Sequence, residues 1–324
     1  MEFNLRHNIL ATLAYYDIFD FPLKAEEIFA RLINFKHIIT GYRLPVTDYR
    51  TLQKELDLLI LDRTINRSGN YYFLFGREYL IPLRLKRGEI AKRKWRIAKR
   101  AIRWLRFVPY LRAVFASGSL AMNNTDELSD LDVLVVVKHG RIWLARLLIT
   151  AMLSVLHFRR RGRDKIAPDK ICLNHYISDE AMLIPHQSIY NAQTYANLVP
   201  ILASEMITKN FQKTNVWVLD YVNNWNMGLV ETGLNLGVSA RILEPFLEIS
   251  DLDYFLNKIS GRYQSRRITD NPVTHQTGGR VIFTDEQLEF HPRSMETQII
   301  KSFNARLIKI GLPQLAVEKD SGLT

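Results

Sequence analysis

Four residues in one short stretch have the types and spacing to do chemistry. Gly118 and Ser119 close an apolar run, ten residues rich in Asn, Thr, Asp and Glu follow, and Asp130 and Asp132 then lead into Val133–Val137. An apolar, β-branched run bounded by turn residues is the pattern of a buried strand. Side chains two apart on a strand share a face, so Asp130 and Asp132 stand together where that strand begins. Two such carboxylates repel unless a cation lies between them. Hard oxygen donors of this kind suit Mg²⁺ or Mn²⁺, shared with phosphate oxygens of a substrate. Gly118 lets a phosphate approach the backbone, and Ser119 offers a hydroxyl donor beside it.

Apolar-Gly-Ser, a gap of ten, then Asp-apolar-Asp-apolar resembles the signature of the DNA polymerase β-type nucleotidyltransferase superfamily, over roughly residues 100–180. The resemblance implies that the Gly118–Ser119 turn holds the triphosphate of an incoming nucleotide and that Asp130 and Asp132 bind Mg²⁺. It further implies transfer of a nucleoside monophosphate from a nucleoside triphosphate to an acceptor hydroxyl, with release of pyrophosphate. Active members of that superfamily place a third carboxylate on the neighbouring strand, as base or as a further metal ligand. At the matching face this chain has Asn174, whose amide oxygen can ligate but cannot accept the proton. Asp169 and Asp179, at either end of that strand, are the alternatives. The rival expectation is a nucleotidyltransferase fold without turnover, serving as a nucleic-acid-binding regulator or nucleotide sensor.

Around this stretch the pattern predicts an α+β chain. Residues 108–180 form a small mixed sheet flanked by helices, with strands at Ala113–Ala116, Leu131–Val137 and Lys170–Ser178 and an apolar helix from Ile142 to Phe158. In the third strand, alternation puts Ile171, Leu173, His175 and Ile177 on the helix-covered side, with His175 a hydrogen-bonded core residue. Cys172, Asn174 and Tyr176 then face the site. Arg159–Arg163 is expected to end the apolar helix, where cations favour the dipole.

Residues 1–82 read as a winged-helix-like module. Leu5, Ile9, Leu10, Leu13 and Tyr16 mark one helix, residues 24–33 a second, and Asp48 caps a third with Leu52, Leu56, Leu59 and Ile60 inward. A hairpin turns at Ser68-Gly69-Asn70. The outward residues of the third helix, Arg50, Lys54 and Asp57, are too mixed for a strong DNA-reading face. Residues 181–324 read as mostly helical, with glycines at 228, 233 and 237, a strand-like Arg280–Thr284 and a last helix from Ser294 to Ile310. This half is the candidate acceptor-binding region.

Charge is the outlier in a composition that is otherwise ordinary, with 47% hydrophobic residues. The 324-residue chain carries a net +11. Residues 84–106 of the connecting helix (83–107) hold eleven Lys or Arg against Glu89. Its stripe Ala91, Trp95, Ala98, Ile102, Leu105 is expected to pack inward and its cations outward, a face suited to nucleic acid or another polyphosphate. The single cysteine, Cys172, and an N-terminus without a signal-peptide pattern fit a cytoplasmic protein, and no stretch reads as a membrane span. No Walker loop, dinucleotide fingerprint, zinc spacing or nucleophile elbow occurs. His139, His157, His186, His275 and His291 follow no recognisable spacing and take no role here.

Overall fold

Leu131–Val137 is the strand most committed to burial, and the rest of the sheet is built outward from it. A computed structural model describes residues 4–42, 47–161, 164, 166–225, 238–249 and 251–315. Glycines 228, 233 and 237 lie outside the described residues. In chain order the helices are α1 (Leu5–Asp17), α2 (Ala25–Ala30), α3 (Phe35–Thr40), α4 (Tyr49–Leu61), α5 (Leu80–Leu105), α6 (Gly118–Ala121), α7 (Ile142–Val155), α8 (Ile189–Ala196), α9 (Glu205–Thr214), α10 (Val218–Tyr221), α11 (Val238–Ile249), α12 (Leu252–Thr269) and α13 (Glu296–Lys309). The strands are β1 (Leu23–Lys24), β2 (Ile65–Ser68), β3 (Tyr71–Leu74), β4 (Leu111–Ala116), β5 (Leu131–Val137), β6 (Ile171–Ser178), β7 (Val199–Leu202), β8 (Arg280–Phe283) and β9 (Gln287–His291).

The architecture is α+β. One sheet has six strands in the order β7-β4-β5-β6-β9-β8, in which β5 and β6 are parallel and the other pairs antiparallel. Three of those strands come from beyond residue 180, so the segment expected to be mostly helical completes the sheet. Val199–Leu202 lies in the half expected to be mostly helical, yet Pro200 cannot donate a helical hydrogen bond. Strand β7 sits at the sheet edge, where proline is tolerated.

Both faces of this sheet are covered. Leu131, Val133, Val135 and Val137 pack under α5 and α7, while Leu134 and Val136 pack toward α8 and α9. Between Asp132 and Leu134 the β5–β6 register shifts, because Asp132 pairs with Cys172 but Leu134 pairs with His175. Two residues of β6, Leu173 and Asn174, thus oppose one of β5, which is a β-bulge. Beyond it the expected alternation inverts: Tyr176 joins the α7 side, and Ile177 packs on the opposite side.

Residues 4–42 and 47–74 share a second core with α13 and Ile189, beside a three-stranded antiparallel sheet ordered β1-β3-β2. The Asp48 side chain accepts from Thr51 N at 2.9 Å at the start of α4, whose Leu52, Leu56 and Leu59 are buried. Residues 35–40 add the short helix α3 between the second and third predicted helices. The C-terminal helix α13 closes this core. The Phe303 ring lies 5.4 Å from that of Tyr15, and Arg306 Nε donates to Asp17 at 2.7 Å. No described helix is long and apolar enough to cross a membrane.

Helix α5 departs from the expectation of outward cations. Lys94 is fully buried, and its Nζ donates to the Ser129 carbonyl and to Asp169, both at 2.7 Å. Arg84 is buried against the Phe21 ring, 3.9 Å from its centroid, and donates to Glu27 at 2.9 Å. Arg87 donates to Asn124 Oδ1 at 3.2 Å and to the Phe19 carbonyl at 2.9 Å, and Trp95 Nε1 donates to Asn123 Oδ1 at 2.8 Å. The cationic helix is therefore a clamp on residues 123–129, within the connection between Gly118 and Asp130. Because Lys94 partners a carboxylate and a carbonyl from a position closed to water, Lys94→Met should lower stability by about 3 kcal/mol, the scale for stripping one partner from a buried pair. Urea denaturation measures this; an unchanged midpoint would contradict it.

Candidate functional site

The turn after β4 and the start of β5 meet. Ser117 N donates to the Asp132 carbonyl at 3.0 Å, which ends the β4–β5 ladder and brings the next residue over the Asp132 side chain. Gly118 has φ +59°, and a Cβ built there would lie 3.0 Å from Asp132 Oδ2. Glycine is required twice over, by the left-handed backbone and by the approach of the carboxylate. Ser117, Gly118, Asp130, Asp132 and Asn174 line one cavity of about 770 Å³. Ser119, singled out by the sequence pattern, lies in α6 and is not in this wall; Ser117 takes that place.

The two acids have different partners. Asp130 forms an ion pair with Arg160. Asp132 Oδ1 accepts from Asn174 Nδ2 at 3.0 Å, so the amide supports the carboxylate. Burial, then the charge of Asp130, push the Asp132 carboxyl up to about 6, with His291 and Arg160 pulling the other way. The Cys172 thiol lies with them, one ligand atom from each of the three residues falling within 4.8 Å of the others. Burial first, then Asp132 and Asp130, push the Cys172 thiol far up, so it remains protonated and adds no charge.

This donor set fits a hard divalent cation. Two carboxylates share a recess in which burial, then the charge of Asp130, raise Asp132, and a cation would offset both. Mg²⁺ takes one or two carboxylates and completes its shell with water and phosphate oxygens. A protonated thiol is no ligand for it, and Asn174 presents its nitrogen to Asp132. A divalent cation placed there would take Asp130 and Asp132 as its protein ligands.

The other proposed acids lie elsewhere. Asp169 is held by Lys94 and Arg93, and Asp179 accepts from His139 N at 2.8 Å, beyond the far end of β5. Neither lines the cavity. The opposite wall comes from β8 and β9, with Arg280, Glu289 and His291. Arg280 Nε donates to Glu289 Oε1 at 2.7 Å, and His291 Nδ1 lies 2.9 Å from the same oxygen. The sequence pattern marks Arg280–Thr284 as strand-like, as β8 is, but misses Gln287–His291, which is short and carries charge at alternate positions. The alternation itself was the available signal. It also placed Arg160 at a helix end, whereas α7 stops at Val155 and Arg160 reaches Asp130.

The bulge in β6 delivers both Asn174 and His175 to the cavity side. His175 is buried, as expected, but on the face opposite to the one predicted. Its Nδ1 lies 3.4 Å from the Tyr195 hydroxyl, and Gln287 Nε2 lies 3.3 Å from its Nε2.

No protein-family model, curated protein or solved structure matches this chain.

Burial lowers His175 to about 4; Glu289 pulls it up, and His291 and Arg280 push it further down. A depressed folded-state value means the unfolded chain takes the proton first. Stability from this residue is present above about pH 6.5 and is lost as pH falls from there toward 4. Between pH 7 and 5 the loss should be on the order of 2 kcal/mol in wild type and absent from His175→Gln. Denaturant midpoints at the two pH values compare them; equal slopes in both proteins would contradict the assignment.

Proposed function

We propose that this chain is a Mg²⁺-dependent nucleotidyltransferase, moving a nucleoside monophosphate from a nucleoside triphosphate to an acceptor hydroxyl and releasing pyrophosphate. The observation that carries the reading is the seating of the Gly118 backbone against Asp132, 3.0 Å from Oδ2 to the glycine's notional Cβ, beside Asp130 in one cavity. The superfamily pattern requires this meeting of turn and acids. About 770 Å³ lies within the span of roughly 300–1,000 Å³ seen for small-molecule sites.

Asp130 and Asp132 hold Mg²⁺, or Mn²⁺, in this reading. The bound ion neutralises the carboxylates and stabilises charge on the triphosphate oxygens. The chain's own groups do the rest. The Ser117–Gly118 backbone admits the phosphates, Arg160, Arg280 and Arg293 line the cavity as cations, and Asn174 orients Asp132. Rate then comes from positioning and from charges fixed before the reaction.

A second reading, a nucleotidyltransferase fold that binds nucleic acid without turnover, has its own observation. Lys86, Lys92, Arg96, Lys99, Arg100, Arg103 and Arg106 of α5 and its end remain exposed, with Trp104 and Phe107 exposed among the last of them. The order of elements in residues 5–74, with the β1-β3-β2 sheet, supports a winged-helix assignment for that module. Binding through this helix should fall steeply with salt.

Asp132→Ala separates the two. In the first reading it weakens Mg²⁺-dependent binding of a fluorescent nucleoside triphosphate by more than about 10-fold, given that even outer-shell changes cost that much at metal sites. The denaturation midpoint should hold or rise, because the substitution removes a carboxylate that ionises with difficulty. Unchanged Mg²⁺-dependent affinity would overturn the assignment.

A further inference from the structure

Transfer to a hydroxyl needs a proton acceptor, and the sequence pattern leaves that position without an acid. Among the described residues of the cavity, most titratable groups are committed. Asp130 is paired with Arg160, and Asp132 belongs to the cation site. Asp164 Oδ2 accepts from Arg161 N at 2.9 Å. Cys172 keeps its proton, and His175 is buried between Tyr195 and Gln287. Burial raises the Tyr190 hydroxyl to about 12 and Tyr195 well above its ordinary value.

His291 is different. Its side chain is 36% exposed, against 3% for Glu289. The pair lie two apart on β9 and so share the cavity face, and Arg280 sits directly across the ladder from His291. Arg280 grips Glu289 at 2.7 Å. Burial opposes ionisation of Glu289, but the His291 hydrogen bond and the fixed charge of Arg280 outweigh it and hold the carboxyl far below its usual range. An ionised carboxylate only accepts hydrogen bonds, so His291 Nδ1 must donate across the 2.9 Å contact. In the neutral ring that leaves Nε2 unprotonated. His291 also lines the same cavity as Asp132, whose ionisation it influences.

We propose that His291 is the general base of this site and that Glu289, itself fixed by Arg280, is its positioning residue. The assignment rests on the nucleotidyltransfer reading. The acceptor oxygen forms a bond to the α-phosphorus as its proton passes to His291 Nε2. The bond from the α-phosphorus to the bridging oxygen breaks, and pyrophosphate leaves with that electron pair. The imidazolium then returns the proton to solvent. A nucleophile's proton taken by a histidine that a carboxylate orients is a recurring solution in unrelated enzymes.

Two measurements on the full chain test this. Long-range ¹⁵N–¹H spectra of histidine-labelled protein should show His291 with Nδ1 protonated and Nε2 bare, a pattern lost in Glu289→Gln. In parallel, pyrophosphate release is followed with Mg²⁺, each of the four ribonucleoside triphosphates, and water or RNA as acceptor. His291→Ala should cut kcat on the order of 100-fold, the lower scale for general-base loss, with KM within a few-fold and partial rescue by added imidazole. Glu289→Gln also deprives Arg280 of a partner, so His291→Gln, which leaves that pair intact, controls for folding. An Nε2-protonated His291, or transfer by His291→Ala at the wild-type rate, overturns the assignment alone. Failure of the wild-type chain to bind any Mg²⁺–nucleotide overturns the nucleotidyltransfer reading and this base with it.

Discussion

Two carboxylates one residue apart in a recess oppose each other's ionisation, and the groups around the cavity meet that constraint. Asp130 and Asp132 stand at the start of the central strand, and withdrawal from water raises Asp132 to about 6. Arg160 answers one acid and Asn174 the other. In the proposed reading a cation between the two acids would offset this repulsion. A fold that wanted only stability would replace this pair with apolar residues at little cost.

Keeping such a pair in place needs a rigid frame, and α5 supplies it. Three of its cations, Arg84, Arg87 and Lys94, turn inward, and Lys94 and Arg87, with Trp95, hold the segment between the glycine turn and Asp130 through carbonyls and side-chain amides. The same helix packs Ala98, Ala101, Ile102 and Leu105 into the core beneath the sheet. Its charge thus serves two ends. The inward cations fix the site's backbone, and the outward ones leave a strongly basic surface. The last helix, α13, then fastens the N-terminal module through Phe303 and Arg306, so that residues 5–74 and the sheet share one framework.

The parts of this organisation visible in the sequence are those set by local pattern. Gly118, Asp130 and Asp132 were legible because strand alternation and turn chemistry act over a few residues, and so was the Asp48 cap. What escaped depends on distant partners. The polarity of Lys94 reads as solvent exposure until Ser129 and Asp169 are known to surround it. A bulge in β6 has no signature in KICLNHYIS, yet it carries His175 to the other face and adds it to the cavity beside Asn174. Arg280, Glu289 and His291 are far from the acids in the chain, and only the pairing of β6 with β9 brings them to the same cavity. Ser119, prominent in the motif, lies in α6 beside the turn and is not among the residues lining the cavity.

The most direct measurement is diffraction from crystals of the full chain soaked with Mn²⁺ and a non-hydrolysable nucleoside triphosphate, using the manganese anomalous signal. The account predicts a single strong peak bridging the carboxylates of Asp130 and Asp132, with phosphate density over Gly118. Manganese bound elsewhere, or nucleotide bound with no metal between those two acids, would contradict it.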